Sequence, residues 1–132
     1  MRRTAPLKGL GPLESRIMEL LWEQGESTVR SVAERLTYPR RPAYTTVMTI
    51  MSRLVEKGLL RRRSAGRAYV YRPAKTREEF LAAASRSRVR ELVRDYGDVA
   101  LAHFVREIEQ ADGERLKRLA GWLERRDERG RS

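Results

Sequence analysis

The stretch AYTTVMTIMSRLVEKG, residues 43–58, sets hydrogen-bonding side chains at a spacing that can do chemistry. Read as one helix, it places Thr46, Thr49 and Arg53 three and four residues apart, on one stripe, with Thr45 beside them. Val47, Ile50, Met51 and Leu54 fall on the other side. Threonine is a poor helix former because its branched Cβ loses rotamer freedom, so three of them in one helix ask for a reason other than helix stability. Short hydroxyl side chains let a helix approach DNA closely. Threonine can hydrogen-bond a phosphate or a base edge and touch a thymine methyl, and arginine can donate two bonds to guanine O6 and N7. Thr45, Thr46, Thr49 and Arg53 are therefore expected to read bases. Solvent-facing threonines would look the same within this helix alone, so the neighbouring elements must decide.

Those elements begin with Gly11-Pro12, which opens a helix with proline in the first turn, where its missing N–H costs nothing. Leu13, Ile17, Leu20 and Leu21 recur at helical spacing, and Gly25 suits a C-terminal cap. Ser27-Thr28 offers an N-cap to a second helix with Val29, Val32, Ala33 and Leu36 on its apolar face. Tyr38 to Pro42 reads as a loop. The threonine-bearing stretch is the third helix, with Lys57 in its last turn and Gly58 ending it. From there the period changes to that of strand, tight glycine turn and strand, a hairpin over 59–73. Three helices followed by a hairpin is the order of a winged helix-turn-helix, whose third helix enters the major groove while the hairpin lies along the backbone.

After Pro73 the texture changes again. Thr76 and Glu79 have the spacing of a capping box, starting a helix that runs to about Tyr96 and closes at Gly97. Asp98 is expected to cap a helix carrying Val99, Leu101, Ala102, Phe104, Val105 and Ile108, and Asp112 one carrying Leu116, Leu119, Trp122 and Leu123. The organisation expected is a basic mobile arm at 1–9, a winged-helix domain at 10–75, a helical module at 76–124 and a fraying charged tail at 125–132. The fold class is mainly α with a small β-hairpin wing. The C-terminal helices are too short to build a large core alone, and pairing with a second chain is the economical way to bury their faces. Phe80, Leu92, Val93, Leu101, Phe104, Val105, Ile108, Leu119 and Trp122 are the expected dimerisation residues.

Charge divides along the same line. Residues 1–76 carry 16 Lys/Arg against 6 Asp/Glu, whereas residues 77–132 carry 13 against 12. A basic front and a balanced rear suit a polyanion for the first half and another task for the second. Arg40, Arg41 and Tyr44 at the start of the third helix, and Arg62 and Arg67 on the hairpin, are expected on the DNA backbone, where contacts position the protein and make binding salt-dependent. Alternation sends neighbouring strand residues to opposite faces, so Arg61, Arg62 and Arg63 cannot all meet DNA, and parity alone does not choose among them. Tyr69 and Tyr71 share a face and are expected to pack the wing's core in preference to stacking on bases.

LGPLESRIMELLW (10–22), TVRSVAERL (28–36), AYTTVMTIMSRLVEKGLL (43–60) and GRAYVYRPAKTREEF (66–80) resemble the penicillinase repressor family of bacterial regulators, the BlaI/MecI type. The resemblance implies a dimeric repressor that binds a palindromic operator on double-stranded DNA, with base contacts at Thr45, Thr46, Thr49 and Arg53 and dimerisation through the C-terminal helices. It also implies a membrane sensor-protease as partner, since some members are inactivated by cleavage of an Asn-Phe bond. The matching segment ALAHFVREIE has His103-Phe104 instead, so cleavage there and the inducing signal stay open. Some members bind copper or zinc through C-terminal cysteines. This chain has no cysteine and one histidine, His103, which excludes metal sensing by that route. No cofactor is expected.

Other functions fare less well. A phosphate-cradling glycine loop, a nucleophile–base pair and a metal cluster are all missing from the sequence, which leaves an enzyme without machinery. A winged helix can also serve as a protein-interaction module or bind RNA by charge, and the base-reading stripe is what separates those alternatives. With no apolar run near the ~20 residues that span a bilayer, a cytoplasmic, nucleoid-associated protein is expected.

Overall fold

A computed structural model describes Leu7 and residues 9–37 and 40–130, with side chains through 126. Most of the basic arm at 1–9, Tyr38 and Pro39 of the first loop, and residues 131–132 lie outside the described residues. The elements run α1 (Pro12–Gln24), β1 (Ser27–Thr28), α2 (Val29–Arg35), α3 (Tyr44–Glu56), β2 (Leu60–Ala65), β3 (Ala68–Pro73), α4 (Arg77–Tyr96), α5 (Asp98–Glu109) and α6 (Gly113–Gly130). Among the described residues, no helix is long and apolar enough to cross a membrane.

Helix ends follow the local chemistry. Glu14 reaches back to the Gly11 N–H (3.0 Å) at the start of α1, and Thr28 accepts from the Ser31 N–H (3.1 Å) at the start of α2. The end of α3 is a Schellman turn. The Gly58 N–H donates to the Val55 carbonyl and the Leu59 N–H to the Leu54 carbonyl, with Gly58 at φ +79°, a conformation that L side chains rarely adopt. This turn ends the helix and sends the chain straight into β2.

Twelve buried residues form the core of the first unit. Ile17, Met18 and Leu21 come from α1, Val29, Val32, Ala33 and Leu36 from α2 and its end, Val47, Met51 and Leu54 from α3, and Leu60 and Tyr71 from the sheet. The expected apolar faces are thus the buried ones, except that Leu13, Leu20 and Ile50 are only partly covered. The sheet has three strands, not two, in the order β1-β3-β2, all antiparallel. Ser27 and Thr28 pair with Tyr71 and Val70, so the segment that caps α2 also makes β3 the central strand. Three helices and a three-stranded sheet with a β2–β3 wing make this unit a winged helix-turn-helix.

The chain divides into two compact units, Met1–Arg86 and Ser87–Ser132, with the division inside α4 and not before it. The first half of α4 is tied to α1. The Trp22 indole N–H donates to the Lys75 carbonyl (2.9 Å), the Trp22 and Phe80 rings lie 5.6 Å apart, and Arg77 is ion-paired with Glu19 (2.8 Å). The capping box at its start is complete: Glu79 accepts from the Thr76 N–H (3.1 Å) and Thr76 from the Glu79 N–H (3.0 Å).

Two expectations about the second unit are corrected. Asp98 does not cap α5. Gly97, at φ +60°, is the N-cap, and Asp98 is the first helical residue, where a carboxylate still suits the helix dipole. Helix α6 does not stop near residue 124 but continues to Gly130, because a run of mixed charges is compatible with helix. Among the described residues of this unit, Ala100 is the one buried apolar side chain, while Leu92, Leu101, Val105, Ile108, Leu119 and Trp122 are all at least 40% exposed.

Candidate nucleic-acid interface

Helix α3 turns two unlike faces outward and inward. Val47, Met51 and Leu54 are fully buried, which fixes its rotation. Thr45, Thr46, Thr49 and Arg53 are then all exposed, as their spacing requires. The Thr49 hydroxyl donates to the Thr45 carbonyl one turn back (2.9 Å). Its proton is used within the helix, and its oxygen keeps lone pairs to offer a donor from outside. Tyr44 is 51% and Met48 41% exposed on the flank of this stripe. Met48 was not singled out from sequence, where a methionine at helical spacing passes for core. Its i, i+4 row with Tyr44 and Ser52 is the signal that could have found it, because that row lies between the buried and the threonine rows. An exposed apolar side chain beside hydroxyls can meet a thymine methyl.

Basic residues precede α3 and lie on the wing that follows it. Arg40 and Arg41 precede α3 and are exposed. On the wing, register shows which arginines share a face. Arg62 pairs across the ladder with Tyr71 and Ser64 with Tyr69, so these share the face of the buried Leu60. Arg61 and Arg63 share the opposite face with their partners Arg72 and Val70. Arg63 is ion-paired with Glu26 (3.0 Å), and that bond holds the Glu26 carboxyl below the usual carboxylate range. Arg62 lies over the Tyr69 ring, 4.6 Å from its centre. Arg67 is exposed beside Gly66 in the turn. The two tyrosines share a face but not a fate: Tyr71 is 2% and Tyr69 49% exposed. Core packing therefore holds for Tyr71 and is corrected for Tyr69, because the strand runs on past the edge of the helical layer.

Of the expected dimerisation residues, Phe80 sits in the first unit against Trp22. Val93 and Phe104 are half-buried, and the other six are exposed on α4, α5 and α6. His103 and Phe104 lie in the middle of α5, so the peptide bond between them is helical.

A family model described as penicillinase repressor matches residues 10–124. The chain is similar to the transcriptional regulator BlaI of Mycobacterium tuberculosis, 37% identical over 123 residues, which is 91% of this chain and 88% of that protein. It is also similar to the penicillinase repressor of Bacillus licheniformis, 24% identical over 111 residues, covering 84% of this chain and 86% of that one. Among solved structures, the DNA-binding domain of the repressor BlaI aligns with 58% of this chain and 93% of its own, at 22% identity and a TM-score of 0.49. The chain belongs to the penicillinase repressor family: it is a transcriptional repressor of that type, built on a winged-helix DNA-binding domain.

Proposed function

We propose that the protein acts in the cytoplasm as a homodimer on a palindromic operator, with helix 43–57 in the major groove and wing 59–73 on the backbone. The observation that carries this reading is the exposed Thr45, Thr46, Thr49 and Arg53 stripe on a helix whose opposite face is buried. A core so arranged gives the stripe a fixed direction. Arg40, Arg41, Tyr44, Arg62 and Arg67 are the backbone contacts in this reading. Two half-sites should lie about 34–36 Å apart, one helical turn, or a multiple of it.

Dimerisation is supported by the second unit, most of whose large apolar residues stay exposed on a single chain. A unit of this size rarely holds a fold without a partner. A second copy would cover α4, α5 and α6 at once. A protease that ended repression at His103–Phe104 would have to act on an unwound α5, since a regular helix does not present a peptide bond in extended form.

The test starts with sequencing the DNA that the protein retains from its own genome, which yields operator and regulated genes together. Arg53→Ala is then expected to weaken operator binding by about 1–3 kcal/mol while nearly sparing a random duplex. Equal losses on both duplexes would show that Arg53 contacts phosphate and reads no base.

A further inference from the structure

Two arginines of the wing are engaged within the protein, and in different ways. Arg63 is neutralised by the Glu26 carboxylate. Arg62 instead lies over an aromatic ring, 4.6 Å from the centre of Tyr69. Burial does not explain that ring, which is half exposed. It is held from behind by the buried Tyr71, edge-on, with centroids 6.5 Å apart and an interplanar angle of 71°. Strand register accounts for the reach. Arg62 stands opposite Tyr71 and is the diagonal neighbour of Tyr69, within range of a long side chain. Directly opposite Tyr69 is Ser64, too small to cover the ring. The contacts thus run outward from the core through Tyr71 and Tyr69 to Arg62.

A guanidinium laid over a ring is attracted through its face, while its N–H donors stay at its rim. A side chain already held in one pose loses less freedom when its ligand arrives than one that must be ordered on binding. We propose that Tyr69 is a positioning residue of the wing: it holds Arg62 in the pose from which the guanidinium takes a phosphate of duplex DNA. This rests on the reading of the wing as a backbone-contacting element.

The experiment titrates the full-length wild type, Tyr69→Leu, Tyr69→Phe, Arg62→Ala and the Tyr69→Leu/Arg62→Ala pair against the recovered operator and a random-sequence duplex, over a salt series. Tyr69→Leu should weaken binding to both duplexes about two- to fivefold, the size of an exposed cation–π contact, and Tyr69→Phe should restore it. Arg62→Ala should lower the slope of log affinity against log salt by about one. The double variant should bind no more weakly than Arg62→Ala alone. A Tyr69→Leu loss that persists in the Arg62→Ala background would overturn the proposal, as would an unchanged salt slope in Arg62→Ala. Those outcomes leave the operator reading intact. A wild type that binds neither duplex in a salt-dependent way ends both. Should Tyr69→Leu fail to fold, the Arg62 side-chain proton shifts of the wild type decide: displacement by the ring current supports the stack, and random-coil values refute it.

Discussion

Thr49 has one hydrogen-bonding role already filled. Because its hydroxyl donates to the Thr45 carbonyl, it can only accept from a base edge, and the major-groove donors are the amino groups of adenine N6 and cytosine N4. In the proposed reading, guanine O6 and N7, both acceptors, would be the targets of Arg53. Thr49→Val removes the acceptor but keeps the branched shape, and the bond it deletes within the helix adds little to stability. The variant should melt like the wild type and lose about 1 kcal/mol on the operator, with relaxed preference at one base pair. Affinity for a panel of operators changed singly at each position would reveal it, and undiminished discrimination at every position would rule Thr49 out as a reader.

At the scale of the element, one carboxylate joins the start of α1 to the end of α3. Glu14 accepts from Lys57 Nζ (2.8 Å) and from the Gly11 N–H (3.0 Å). The Lys57 bond first, and the Gly11 bond second, hold its carboxyl below its usual range. The native state therefore releases this proton more readily than the unfolded chain does. The stability it contributes is present above the ordinary carboxylate value and is lost as pH falls through the lowered one. Glu14→Gln should cost about 1 kcal/mol at neutral pH, with half-exposed Lys57 discounted for screening. The gap to wild type should stay level above the ordinary carboxylate range and narrow as pH falls through the lowered value. Urea melts of both proteins across the acid range would measure it, and a gap that did not change with pH would contradict the pairing. Lys57 shows how far sequence reading reached. Its place at the end of α3, as the C-cap just past the last turn, was nearly legible, but its partner, 43 residues away in sequence, was not. Helices α1 and α3 could be read because burial repeats along them, and α4, which has no buried residue, from the capping box at its start. Strand β1 could not, because two residues carry no period. Tyr69 was misjudged for a related reason: alternation says which face a residue takes and nothing about how far the core extends beneath it.

At the scale of the molecule, two unlike units share one helix. The front unit has its own core and most of the net positive charge, whereas the rear unit keeps most of its large apolar side chains exposed. Since Phe80 and Arg77 pack on α1, a chain ending at Lys75 would uncover Trp22, and Arg86 is the better end point for the front unit. The fragment ending at Arg86 should fold, sediment as a monomer and bind duplex DNA weakly. Leu101→Glu/Ile108→Glu in the full chain should likewise yield monomers, because both side chains are about half exposed on one chain and a charge there would be buried unpaired at a shared face. Loss of the second recognition helix forfeits the gain from linking two binding events, about 10²- to 10⁴-fold for tethered modules. Operator affinity should fall by that order while the melting of the front unit is unchanged. Sedimentation and operator titration of the same samples separate the possible causes. A monomer that kept full operator affinity would detach assembly from recognition, and a fragment ending at Arg86 that still sedimented as a dimer would move the dimer contact into the winged helix.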